Sequence, residues 1–311
     1  LGTNAFLFYG LGYSAINSHD QGEDFLGLFT LANALLHFIA CFVVFRRHMQ
    51  DKGLFYYIAG LVLVFVTMAI PVQLDGRWVT LLWAGEAALL YWIGRGKALD
   101  LYEKLSYPLM LLAVFSLADD WDTTYAHFNY GFTSDHTMLT PVFNTGFMTS
   151  AIVCAAFGFI LFLNHRKPYK GTMPAWVVNI ADYAIPSVFI LLVYNSMRLE
   201  ISNYWNQLFI QTIVEVEAGD GYTNSIRNWR LKDFETIWII NYSMLFVTAL
   251  LILNWQKIKN KVIGYLCLGF NGLFVLIFLF SALWILSLLR DAYLDRANDE
   301  YFYRGISYLV I

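Results

Sequence analysis

Charge is scarce in this sequence, because Asp, Glu, Lys and Arg make up only 14% of its 311 residues. A soluble domain carries about a quarter charged residues. Apolar residues make up 59% of the chain, and its mean hydropathy is +0.54. Since each membrane-spanning helix needs ~20 mostly apolar residues, this composition indicates a membrane protein with several spans.

Patterns typical of soluble enzymes are also missing. The chain has no HExxH, Walker A or Rossmann fingerprint, and no Ser, His and Asp order of the hydrolase kind. Its net charge of −3 provides no basic patch for nucleic acid, so we expect no nucleic-acid partner. No cofactor and no metal is predicted. The cysteines lie in three separate apolar segments without CxxC spacing, and we expect them to be buried thiols: Cys41, Cys154 and Cys267.

Nine apolar segments bounded by charged residues are candidate membrane spans. We therefore predict an all-α polytopic transmembrane bundle of about nine spans. The chain begins at Leu1 without Met and ends in a further apolar stretch, so we expect residues 1–311 to be one transmembrane domain excised from a longer membrane protein. The candidate spans cover roughly residues 3–18, 26–46, 54–71, 78–94, 101–118, 143–163, 175–198, 236–255 and 262–289.

Charge alternates between the connections of these spans. Four connections carry three basic residues each, whereas most acids lie in the other connections. Because basic residues collect in cytoplasmic loops, the first span is expected to begin on the cytoplasmic side of the membrane. The basic connections contain Arg46, Arg47, Lys52; Arg95, Lys97, Lys104; Arg166, Lys167, Lys170; and Lys257, Lys259, Lys261.

Two outer connections are long, 118–143 and 199–235. The first interleaves Asp119, Asp120 and Asp122 with aromatics, which favours an interfacial loop over a sugar or cation site. The second has apolar residues at helical spacing from Ile201, which predicts an amphipathic helix on the outer membrane surface. Its later basic residues are expected to pair with nearby acids.

The turn from Ile70 to Trp78 joins the third and fourth spans. Asp75-Gly76 permits a tight reversal, and Trp78 is placed to anchor the fourth span at the interface. Capping and anchoring explain this turn, but Asp75 and Arg77 are also candidates for a base and an anion clamp.

Two carboxylates lie deep in candidate spans. Glu86 follows Arg77 by nine residues, which places it ~13 Å below the outer boundary, near the membrane midplane. Asp182 precedes Pro186 by four residues, so we expect a kink that exposes a backbone carbonyl. With Asn195 they are candidates for a substrate or ion pathway, although such groups also hydrogen-bond between helices.

A resemblance to a known family is carried by the turn and the start of the fourth span. Residues 70–80, with Leu82-Trp83-Ala84 and Glu86, resemble the signature of bacterial predicted membrane proteins grouped as domain of unknown function number twenty-three thirty-nine. Thr3-Asn4-Ala5 and residues 8–13 resemble a neighbouring stretch, and Tyr204-Trp205 is similar to one branch of the family. The resemblance implies a polytopic protein of the bacterial inner membrane, usually longer than this chain, and implies no activity or catalytic residue.

Three functions remain open. The leading hypothesis is transport or flipping of a small polar or lipid-linked solute, with Glu86 coupling it to a proton or cation. The second is an integral membrane enzyme of envelope glycan or lipid modification that uses Asp75 and Arg77. The third is a non-catalytic scaffold. Expected partners are membrane lipids, a lipid-linked or small polar substrate, and envelope proteins.

Overall fold

The structure is a computed structural model, and it describes residues 2–19, 23–46, 52–74, 76–125, 138–166, 172–212, 214–218 and 222–294. Nine long helical segments follow one another through these residues. The ninth consists of two helices joined by a π-helical turn, Phe278–Ala282. The helices are α1 (Gly2–Asn17), α2 (Glu23–Arg46), α3 (Lys52–Gln73), α4 (Arg77–Lys97), α5 (Asp100–Tyr125), α6 (Thr145–Arg166), α7 (Ala175–Gln211), α8 (Arg230–Leu253), α9 (Lys261–Ile277) and α10 (Leu283–Leu294).

Each candidate span of the sequence falls on one of these helical segments. Six segments of the described chain are long and apolar enough to cross a membrane, namely those of α2, α5, α6, α7, α8 and the joined α9 and α10. The prediction of an all-α polytopic bundle is confirmed. The number nine for the spans themselves stays a prediction, because six are identified among the described residues.

The expected loop at 118–143 begins later than predicted. Helix α5 continues to Tyr125, so Asp119, Asp120 and Asp122 lie on its last two turns. Neither Gly nor Pro occurs between Pro108 and Tyr125, so the sequence contains no helix-breaking residue before Asp119, Asp120 and Asp122. The expectation of an acidic interfacial loop was wrong for these three residues, and positions 126–137 lie outside the described residues.

The second outer connection also differs in part from the prediction. Its residues are helical up to Gln211, but they continue α7 rather than form a separate surface helix. No Gly or Pro follows Pro186 until Gly219, so nothing in the sequence ends the helix earlier. A hairpin comes next, in which β1 (Val214–Ala218) pairs antiparallel with β2 (Tyr222–Ile226).

Two compact units make up the chain. The first contains residues 1–120 and 155–185, and the second contains residues 121–154 and 186–311. In the first unit, Tyr9 and Phe65 pack with Ala34, and the two rings lie 5.2 Å apart. This contact joins α1, α2 and α3 through apolar surface.

The core of the second unit lies on one face of the C-terminal half of α7. Trp205 is 2% exposed and stacks on Phe234 of α8 with ring centroids 5.4 Å apart. Phe209 of α7, Leu231 and Ile237 of α8 and Leu289 of α10 complete the cluster. The expected pairing of basic residues is seen for Lys232, whose Nζ lies 2.9 Å from the Glu235 carboxylate, and for Arg230, which lies 4.0 Å from that of Asp233. These contacts leave the opposite face of α7 for polar groups.

Two glycines of α4 provide a matched test of close helix packing. A Cβ on Gly94 would lie 2.7 Å from the backbone nitrogen of Glu103, whereas a Cβ on Gly85 would have no atom within 4 Å. We expect Gly94→Ala to destabilise the protein by about 1–3 kcal/mol, since α4 and α5 must separate. Gly85→Ala should stabilise it by up to about 1 kcal/mol through helix propensity. Unfolding in a single detergent checks both, and equal effects would contradict the close approach.

Candidate functional site

Helix α4 presents polar side chains on two opposite faces. At 3.6 residues per turn, Thr80, Tyr91 and Arg95 share one face, which is filled between them by buried alanines. Glu86 lies nine residues after Arg77, which is two and a half turns, and therefore points to the other face. The two candidate residues Arg77 and Glu86 therefore lie on opposite faces of α4 and have different neighbours.

Glu86 faces α3. The Thr67 hydroxyl donates to Glu86 Oε1 at 3.3 Å. Glu86 Oε2 is buried and has no hydrogen-bond partner among the described residues. The same holds for Trp83 Nε1, one turn earlier on α4. A buried acceptor and a buried donor therefore lie on neighbouring positions of one helix, each without a partner in the described part of the chain.

A second polar cluster lies where α4 begins and α5 ends. Thr80 Oγ1 donates to Asp120 Oδ2 at 2.5 Å and lies 2.6 Å from Ser116 Oγ, which therefore donates to it. The positive charge of Arg77 acts on Asp120. The structure thus brings Arg77 of the predicted outer turn next to an acid of the predicted outer loop.

The remaining residues of the outer turn differ in how they are placed. Trp78 is 65% exposed, as an interfacial anchor would be. The residue that caps α4 is Gly76, at φ 60° and ψ −134°, a backbone conformation that glycine alone adopts readily. Asp75 lies outside the described residues, so its predicted role stays a prediction.

A third cluster surrounds the other end of α4. Arg95 Nε donates to Glu103 Oε1 at 2.8 Å, and the two side chains are 3% and 2% exposed. Tyr107 also donates to this carboxylate, at 3.0 Å. Asn164 Oδ1 accepts from Tyr91 at 2.7 Å and from Arg95 at 2.8 Å. This buried ion pair ties α4, α5 and α6 together.

Asp182 belongs to the third cluster and not to the surroundings of Glu86. Its carboxylate accepts from Asn164 Nδ2 at 3.0 Å, and its side chain is exposed. Pro186 lies inside α7, as predicted. Asn195 is in the second unit, where its amide donates to the carbonyl of Leu191 at 3.0 Å. The structure therefore does not group Asp182 with Glu86, and Asn195 bonds to its own helix.

The second unit holds a buried acid that the sequence reasoning did not single out. Glu200 of α7 is 4% exposed and accepts from Tyr125 at 2.5 Å, from Val142 N at 2.6 Å and from Asn144 at 2.7 Å. Val142 has φ 65°, a left-handed conformation that is costly for a β-branched residue. The Glu200 bonds thus hold the chain before α6 in a strained turn.

A signal for this acid was present in the sequence. Ser196, Glu200, Asn203 and Gln207 recur at spacings of four, three and four residues, which places them on one helical face opposite Trp205. All four are buried. Among the described residues, no three His, Cys, Asp or Glu side chains are close enough together to hold a metal ion.

The apolar helices and the polar clusters between them define a multi-pass membrane protein built as a helical bundle. The family described as "Predicted membrane protein (DUF2339)" matches residues 5–306, and the chain belongs to this family. The resemblance seen at the turn before α4 is thereby confirmed. No curated protein and no solved structure is significantly similar to the chain.

Breaking the buried ion pair should be costly. In Glu103→Gln, Arg95 would keep its charge in a site without the matching carboxylate, and we expect a loss of about 3–5 kcal/mol of stability. Asp291→Asn is the matched control, because Arg290 and Asp291 form a pair at 2.8 Å with side chains 63% and 55% exposed. The control should change stability by less than about 1 kcal/mol. Thermal unfolding of both variants in detergent tests the difference, and a Glu103→Gln protein as stable as the control would contradict it.

Proposed function

We propose that this protein moves a small polar or lipid-linked solute across a bacterial inner membrane, and that Glu86 binds the proton or cation that couples to this movement. The single observation that carries the proposal is the state of the Glu86 carboxylate. One of its oxygens accepts a bond from Thr67, and the other is buried without a partner in the described part of the chain.

A buried carboxylate oxygen without a hydrogen bond destabilises the folded protein. A buried polar group without a hydrogen bond costs about 1–3 kcal/mol, and an ionised one costs more. Polar residues that remain inside a membrane despite this cost mark ion and substrate pathways. The Trp83 indole, one turn earlier on the same helix, is a buried donor with no described partner, so α4 offers a bound water or solute both an acceptor and a donor.

Position along the helix supports the same role. Glu86 is nine residues from the start of α4, which is ~13 Å along the helix axis. With the basic connections in the cytoplasm, α1 begins on the cytoplasmic side and Arg77 lies at the outer surface. In that orientation Glu86 lies near the membrane midplane, where transporters place their coupling groups.

An integral membrane enzyme of envelope glycan or lipid modification is the second candidate. The observation that favours it is the cluster of Arg77, Thr80 and Asp120, which combines a cation, a hydroxyl and a buried acid at one end of α4. Such groups suit a phosphorylated or lipid-linked substrate. In that case Asp120→Asn would abolish activity while Glu86→Gln would not.

The transport proposal predicts a carboxyl that reacts as a protonated acid. Dicyclohexylcarbodiimide, which modifies protonated carboxyls in apolar surroundings, should label Glu86 in liposomes faster at mildly acidic than at mildly alkaline pH. Peptide mass spectrometry identifies the labelled residue. The Glu86→Gln protein should not be labelled at this position, and its thermal unfolding should equal that of the wild type. It should also fail to transport any solute that protects the wild-type protein from labelling.

Asp119→Asn is the matched control, because Asp119 is an exposed carboxylate of the same unit. It should retain both the label on Glu86 and transport. The proposal would be overturned by a fully active Glu86→Gln protein, together with a Glu86 that is unlabelled at both pH values or labelled at a rate that neither pH nor Na⁺ changes. If both Glu86→Gln and Asp120→Asn changed only stability, the scaffold interpretation would stand.

A further inference from the structure

An open groove lies at the turn between α8 and α9. Its volume is about 540 Å³, and all of its lining residues belong to the second unit. Its lining combines two lysines, Lys259 and Lys261, with the aromatic side chains of Trp255 and Tyr265 and the apolar side chains of Leu251 and Leu268. The two aromatic side chains are 77% and 75% exposed.

The turn that carries the two lysines is held in one conformation. Asn254 is buried at the start of a π-helical turn, Asn254–Ile258, and its side chain bonds both ways with the backbone of Asn260, at 2.9 and 3.1 Å. Lys259 has φ 54°, and its amide donates to the Asn254 carbonyl at 2.6 Å. Gly264 passes close to Asn254, since a Cβ there would lie 3.1 Å from its amide nitrogen. A rigid turn lowers the entropic cost of binding an anion between its lysines.

The charge on this turn has one sign. Lys257 joins Lys259 and Lys261 on the turn, and no Asp or Glu occurs in the sequence between Thr236 and Arg290. The carboxylates of α8, Asp233 and Glu235, lie in its first two turns, at the end far from these lysines. A phosphate group in the groove would supply the missing negative charge.

We propose that this groove binds the headgroup of an anionic phospholipid, with the phosphate between Lys259 and Lys261. Trp255 and Tyr265 lie where aromatic side chains meet the membrane interface, beside the headgroup. Below them Leu251 and Leu268 line the groove, and the acyl chains lie along these side chains. In the proposed orientation the site faces the cytoplasmic leaflet, and binding does not depend on Glu86.

The apolar part of the groove distinguishes a lipid from a soluble phosphate. Leu268 is 61% exposed and Leu266 is 57% exposed, so apolar surface continues from the groove along α9. A soluble anion would use only the lysines, whereas a phospholipid covers this surface as well. Basic residues next to a membrane helix each attract anionic lipid with an energy that corresponds to about a fivefold change in affinity.

Binding of phosphatidylglycerol tests the proposal. Purified full-length chain in detergent is titrated with phosphatidylglycerol or phosphatidylcholine, and native mass spectrometry gives the bound fraction. We expect saturable binding of phosphatidylglycerol only. K259Q/K261Q should weaken it about 30-fold, and K259R/K261R should restore it within a few-fold.

K97Q/K104Q is the control of equal charge, because both lysines are exposed and lie in the other unit. It should leave the affinity unchanged, and all variants should unfold at the wild-type temperature without lipid. Equal loss in the control and in K259Q/K261Q would show diffuse charge attraction and overturn the site. Displacement of the lipid by inorganic phosphate at comparable concentrations would assign the lysines to a soluble anion and overturn the lipid as occupant.

Discussion

Polar groups within a bilayer must find their partners inside the protein, and this constraint governs how α4 is packed. Water is not there to satisfy an unpaired donor or acceptor, so each one costs several kcal/mol. Thr80 meets this demand by bonding Asp120, and Arg95 by bonding Glu103. Both bonds run from α4 to α5 and lie near the two ends of the helix pair. Between Thr80 and Tyr91 the same face of α4 is occupied by the small buried residues Ala84, Ala87 and Ala88, which allow a neighbouring helix to approach closely.

Glu86 differs from the buried acids in its hydrogen bonds. Glu103, Asp120 and Glu200 each have described partners at 2.5–3.0 Å. The bond from Thr67 to Glu86 is 3.3 Å long, and the second oxygen of Glu86 is buried without a partner among the described residues. Fully paired acids hold helices together, and their removal is felt as lost stability. An acid that is half paired can exchange its partner at much lower cost, which is what binding and release of an ion requires.

The sequence predicted the helices well because hydropathy and loop charge are local properties. The start and end of nearly every apolar segment follow from charged residues on either side, whereas the depth of Glu86, counted from Arg77, stays a prediction. The face of α4 on which Glu86 lies could also be predicted, since nine residues make two and a half turns and place Glu86 on the face opposite Arg77. What the sequence could not supply is the partner on another helix. That Thr80 donates to Asp120, or that Asp182 accepts from Asn164 and does not lie with Glu86, depends on which helices become neighbours. The hairpin after α7 was missed for a related reason, because the alternation in Val214–Ala218 is short and directly follows a helical pattern.

Glu86 lies at the contact between α3 and α4, two helices that pack against different neighbours. Helix α3 lies against α2 along much of its length and touches α4 at few points. Helix α4, in contrast, is tied to α5 by a charged hydrogen bond at either end. The long bond from Thr67 therefore crosses a seam between two helix pairs of the same unit, α2 with α3 and α4 with α5. If Glu86 binds a proton or cation, as proposed, the charge changes at this contact between α3 and α4. The strong hydrogen bonds lie within the pair of α4 and α5, and the weak bond from Thr67 to Glu86 lies between the two pairs. A change of charge at Glu86 would therefore alter the contact between the pairs before it altered the packing within either pair.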